Sequence, residues 1–243
     1  MNLIIKETYI DCCKEAASLF IELIKQKPDA LLGFATGDTP KGLYKTLIEA
    51  CAAGETDFSR IRTVNLDEYA GLPASHDQSY MFFMQEQLFR HININQNNIT
   101  IANGVADTAE EEARMRRFFN ENRVDLQLLG VGRNGHIGFN EPDSKLRASF
   151  HYTRLTDSTI EANSRMFANA DEVPRGALTM GMGDIMQARK LVMLANGKNK
   201  AEAMSGLLTS DSIDPMNPCT MLKMHPDVAV IIDRELADAI GVS

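Results

Sequence analysis

Apolar runs of strand length alternate along this chain with segments whose apolar residues recur at helical spacing, and that alternation limits the fold more than any other feature. Leu3 to Ile5, Ala30 to Ala35, Ile61 to Leu66, Asn98 to Ala102, Val124 to Val131, Leu191 to Leu194 and Val228 to Ile232 read as strands. Between them, Ala16, Leu19, Phe20, Leu23 and Ile24 make one apolar helix face. Further helices are expected from about Lys41 to Ala52, Ser79 to Phe89, Thr108 to Asn120 and Lys198 to Leu208. Strands joined through helices run in the same direction, and the connecting helices cover both faces of the sheet they form. The expected class is therefore α/β, a mostly parallel sheet with helices on both faces. No linker, low-complexity tract or internal repeat divides the sequence, so residues 1–243 are expected to form a single domain.

In such sheets ligands sit beyond the carboxyl ends of the strands, where loops enter helices. Three polar segments fall at such positions. Thr36-Gly37-Asp38-Thr39-Pro40 follows the second strand and precedes a helix. Gly37 frees its backbone, Thr36 and Thr39 offer hydroxyls, and helix-start amides attract an anion. It has the properties of a phosphate cradle, although an ordinary capped strand–helix turn would look the same. Asn65-Leu66-Asp67-Glu68-Tyr69 ends the third strand. There Asp67 can stand partly desolvated, hence more basic, with Glu68 on the opposite side. The alternative is a turn or helix cap. The third segment, Gly130-Val131-Gly132-Arg133-Asn134-Gly135-His136-Ile137-Gly138-Phe139-Asn140-Glu141-Pro142, has four glycines in nine positions and carries an imidazole, an amide and a carboxylate. His136 can shuttle a proton with Glu141 as its orienting partner, or merely hydrogen-bond the loop.

These three segments and Ala162-Asn163-Ser164-Arg165, in this order, resemble the glucosamine-6-phosphate deaminase family nearly end to end. The combination of LDEY with GHIGFNEP is the specific part, since the related 6-phosphogluconolactonases share the sheet and a GH loop but are not expected to carry both. The resemblance implies a modified Rossmann-like fold and conversion of glucosamine 6-phosphate and water to fructose 6-phosphate and ammonia. It implies Asp67 as the base between C1 and C2, His136 as the group that opens the pyranose, and Glu141 with Asn134 as its companions. It further implies a phosphate site formed by Thr36, Gly37, Asp38, Thr39, Arg165 and Lys200, with neither metal nor organic cofactor. Two positions depart from the pattern. Asp38 stands where a serine or glycine is usual, so its carboxylate should turn outward or cap the following helix. Asn134 stands where some members carry aspartate, which leaves the loop less negative. Larger members have a longer carboxyl-terminal tail and respond to N-acetylglucosamine 6-phosphate, so this chain is expected to be unregulated.

The formal net charge of −8 argues against nucleic acid as a partner and requires a local positive pocket to draw in an anionic phosphosugar. No apolar run reaches the length of a membrane span, and Met1–Lys6 lacks the layout of a secretory signal. Cys12, Cys13, Cys51 and Cys219 show no CxxC pairing and read as free thiols of a cytoplasmic protein. The five histidines show no metal-ligand spacing. Homo-oligomerisation stays open. The rival readings are a lactonase or another phosphosugar isomerase on the same scaffold, which would release no ammonia, and a non-catalytic phosphosugar sensor.

Overall fold

The computed structural model describes residues 1–156, 160, 167 and 172–243. Among these residues, ten strands and the helices between them appear in an alternating order. The strands are β1 (Asn2–Lys6), β2 (Leu31–Phe34), β3 (Arg62–Asn65), β4 (Asp67–Ala70), β5 (Ile99–Thr100), β6 (Leu126–Leu129), β7 (His151–Arg154), β8 (Gly176–Thr179), β9 (Leu191–Ala195) and β10 (Val228–Asp233). The four longer amino-terminal helices are α1 (Tyr9–Gln26), α2 (Lys41–Ala52), α3 (Tyr80–Gln87) and α4 (Thr108–Glu121). No helix among the described residues is long and apolar enough to cross a membrane.

Seven strands form one sheet in the order β1-β10-β9-β6-β2-β3-β5. Every pairing in it is parallel. Strands β2, β6, β9 and β10 are buried at every position, so side chains on both faces are covered, as continuous apolar runs demand. On one face Phe20 of α1 stacks on Phe34 of β2, and Tyr44 of α2 meets the same ring edge-on. The expected α/β class and all seven expected strands are present.

One region departs from the expectation. The chain does not end its strand run at Asp67. After Leu66 it enters a second sheet, antiparallel and three-stranded, in the order β4-β8-β7. Leu66 is the joint: its N–H donates to Phe34 O in the main sheet at 3.1 Å, and its carbonyl accepts from Met180 N at 2.8 Å. Asp67 is thus the first residue of a strand, paired opposite Thr179 of β8, and neither a turn nor a helix cap.

Candidate active site

From β2 the chain moves to β3 and β5 on one side, whereas β6, β9 and β10 lie on the other. The direction of winding therefore reverses between β2 and β6, and a crevice opens there beyond the carboxyl ends of the strands. A cleft of about 1250 Å³ occupies this position. The loops that build it leave four adjacent strands, β9, β6, β2 and β3. Thr36, Gly37, Asp38, Thr39, Asp67, Asn134, His136, Glu141 and Lys200 all line it. Arg165, the remaining expected ligand, lies outside the described residues.

Asp67 is 7% exposed, and no hydrogen bond from a described residue reaches its carboxylate. Burial, then the neighbouring Glu68, pushes its pKa well above the carboxylate range. Strand alternation sends Glu68 the other way, as expected. Its buried carboxylate accepts from Tyr69 N at 2.8 Å, Tyr80 N at 2.9 Å and Met81 N at 3.0 Å, tying the start of α3 to β4. Burial raises the Glu68 carboxyl as well, against those three amides. The tie brings Tyr80 to the cleft, where its ring stacks on Phe139 at 6.2 Å and packs against Tyr69 at 4.8 Å. These rings wall the side on which Asp67 stands and limit its access to water.

The histidine loop is pinned to the same strand pair. Phe139 N donates to Thr179 Oγ1 at 3.2 Å, and the buried Asn140 amide donates to Ile137 O at 2.9 Å and Met180 O at 2.8 Å. A Cβ on Gly138 would lie 2.9 Å from Thr179 Oγ1 and 3.3 Å from Asp67 Oδ2, so the loop passes the Asp67 carboxylate closely only because no side chain intervenes. Gly132 serves the imidazole in the same way, since a Cβ there would sit 2.2 Å from His136 Cε1. From the far side, Cys219 N donates to Gly135 O at 2.9 Å.

Around His136 the polar groups form a chain rather than a simple pair. Asn134 Oδ1 lies 2.7 Å from His136 Nδ1, and Asn134 Nδ2 donates to Glu141 Oε2 at 2.7 Å. Glu141 Oε1 is 3.4 Å from the same Nδ1. An ionised carboxylate only accepts, so it fixes the amide with NH₂ toward Glu141 and oxygen toward the ring. Nδ1 must then carry the proton, which leaves Nε2 as the acceptor. The expected Glu141–His136 pair is present, with Asn134 interposed as the shorter link.

Lys200 ends a short 3₁₀ turn, Lys198–Lys200, ahead of the helix Ala201–Leu208. Burial and the nearby Arg133 guanidinium lower its pKa, the signature of two like charges sharing a poorly solvated cleft. Arg133 was not among the expected ligands, although it stands within the histidine loop and lines the cleft. Tyr80 and Asn199 also line it, and nothing in their local sequence marks them. Asp38 turns outward, its side chain 96% exposed and 2.8 Å from Lys41 Nζ. It does not cap α2, whose N-cap position is Pro40.

A profile of the family described as glucosamine-6-phosphate isomerases/6-phosphogluconolactonase matches residues 6–231. The chain is 51% identical to a glucosamine-6-phosphate deaminase of Clostridium beijerinckii, over 99% of this chain and all of that one. It is 49% identical to a glucosamine-6-phosphate deaminase of Thermoanaerobacter pseudethanolicus, over 99% of this chain and 95% of the relative. Among solved structures, a monomeric glucosamine-6-phosphate deaminase superposes with a TM-score of 0.93 at 42% identity, covering 98% of this chain and 100% of the other. A 6-phosphogluconolactonase from Trypanosoma brucei shares the fold, with a TM-score of 0.76 at 17% identity over 98% of this chain and 97% of its own.

Proposed function

The chain belongs to the glucosamine-6-phosphate isomerase/6-phosphogluconolactonase family, and within it we propose that this protein is a glucosamine-6-phosphate deaminase. The reaction takes glucosamine 6-phosphate and water to fructose 6-phosphate and ammonia. The observation that carries this reading is the pairing, in one cleft, of a buried carboxylate without a hydrogen-bond partner among the described residues and a histidine whose acceptor nitrogen is fixed. An aldose–ketose isomerisation needs both.

The phosphate sits on the Thr36–Thr39 loop, through hydroxyls and backbone amides, with Lys200 and Arg165 as its cations. Asp38 contributes main chain only, since its side chain faces solvent. His136 moves the proton to the ring oxygen as the pyranose opens, with Nδ1 held by Asn134 and Glu141. Asp67 then takes the C2 proton to give an enolamine and returns a proton at C1. Water adds to the C2 iminium, and ammonia leaves as the C2 ketone forms. The amino group of the incoming sugar, as an ammonium, supplies the positive charge that Asp67 lacks. An opposite charge nearby favours the ionised carboxylate, so substrate binding itself switches the base on. The cytoplasm is the compartment this reading assigns, because a phosphorylated sugar is a cytoplasmic metabolite.

Purified protein given glucosamine 6-phosphate should release ammonia in step with fructose 6-phosphate. Hydrolysis of 6-phosphogluconolactone with no ammonia from the amino sugar would place it in the other branch of the family.

A further inference from the structure

The loop at residues 36–39 is held from behind by two tyrosines that lie outside the cleft lining. At its start, the buried Tyr44 hydroxyl donates to the Ala35 carbonyl and accepts from Ala35 N at 3.3 Å. At its end, the hydroxyl of Tyr9, the first residue of α1, lies 3.0 Å from Thr39 O and 3.3 Å from Asp38 O, and accepts from Gly42 N at 3.1 Å. That last contact fills a gap in α2. Its N-cap, Pro40, makes no side-chain cap hydrogen bond, and the first-turn N–H groups of a helix have no partner inside the helix. The Tyr9 phenol acts as the missing cap from about thirty residues upstream.

We propose that Tyr9 is a positioning residue of the anion-binding loop: its hydroxyl draws the Asp38 and Thr39 carbonyls away from the cleft and thereby aims the Thr39 amide into it. The proposal rests on the reading of residues 36–39 as the seat of a phosphate. In a trans peptide the C=O and the following N–H point in opposite directions. No peptide among the described residues is cis. Holding the Asp38 carbonyl toward Tyr9 therefore turns the Thr39 N–H the other way, to the side on which Thr39 lines the cleft. Lys41 N also donates to the Asp38 carbonyl at 3.3 Å, so without the Tyr9 hydroxyl that single contact is left to keep the carbonyl from turning toward the bound anion and repelling it. Burial, with Cys13 beside it, pushes the phenol up to about 12, so the donor keeps its proton throughout the neutral range.

Tyr9→Phe removes one oxygen and keeps the ring. Calorimetric titration of the full-length variant with inorganic phosphate should show binding weakened about threefold to tenfold, the loss of one neutral hydrogen bond. KM for glucosamine 6-phosphate should rise by the same factor with kcat unchanged, and the Gly42 amide should exchange faster with solvent. Phosphate binding equal to wild type overturns the proposal, as does a fall in kcat with KM and phosphate affinity unaltered, which marks general loosening. The phosphate titration needs no turnover, so it decides the role of Tyr9 independently of the reaction assigned above. Failure of the wild-type protein to bind phosphate would remove the seat and the proposal with it.

Discussion

Replacing Asp67 by asparagine should make the protein more stable while destroying its chemistry, and the stabilisation should depend on pH in a defined way. The carboxyl moves from an ordinary 3.8 to about 8 in the fold because it is buried beside Glu68. A group whose pKa is higher folded than unfolded holds its proton in the native state, so wild-type stability falls as pH rises through that window and levels off above it. Each pH unit within the window is worth about 1.4 kcal/mol, which sets a ceiling of about 6 kcal/mol across it. Buried sites respond with an effective dielectric well above that of dry protein, so the realised difference should be about half of that, on the order of 3 kcal/mol. Asparagine has no titration there, and Glu68 is common to both proteins. The variant's advantage should grow from about pH 4, level off by about pH 8 and stay flat beyond, on the scale expected of one buried carboxyl. Urea unfolding at a series of pH values reads it directly, since such a difference shifts the midpoint by about 1 M for a slope of about 3 kcal/mol per molar. A difference that is constant with pH, or that shrinks as pH rises, would refute the claim that Asp67 is held in a charge-hostile position.

Two further substitutions separate binding from chemistry. Lys200→Ala and Arg165→Ala should each raise KM for the phosphorylated sugar at least about tenfold, from the loss of a charge-assisted contact worth roughly 1.5–3 kcal/mol, with unphosphorylated glucosamine remaining a very poor substrate. An unchanged KM would remove that residue from the site. His136→Gln should cripple turnover of cyclic glucosamine 6-phosphate but retain binding of an open-chain amino-polyol phosphate, measured by titration. Full turnover on the cyclic substrate would make His136 structural.

The glycine-punctuated histidine loop, the Thr36–Thr39 loop and the parallel sheet were legible in the sequence because each is a local pattern: an apolar run, then residues with little use in a core. Helix α2 was expected from Lys41 to Ala52, and it is found at those bounds. The second sheet was not legible. Asp67–Ala70 has too few residues to show a period, and what makes it a strand is its pairing with Gly176–Thr179, more than a hundred positions away. That pairing also explains how Asp67 and the histidine loop come to share a support, Thr179. Which group caps α2 was not legible either, for a related reason. Asp38 is the obvious local candidate, but the hydroxyl that does the work belongs to α1. Arg133 left a readable trace, a cation inside a ligand-binding loop, whereas Tyr80 reaches the cleft only through Glu68.

The division of labour in the cleft is tested most directly by following hydrogen at C1 and C2 during turnover in D₂O. Wild-type protein acting on glucosamine 6-phosphate should release one ammonia per fructose 6-phosphate, with any deuterium on carbon confined to C1 of the product. Asp67→Asn should bind the phosphosugar yet give neither product nor exchange of the C2 hydrogen. Exchange by that variant at near wild-type rate, or deuterium at a carbon other than C1, would contradict the assignment of Asp67 as the base.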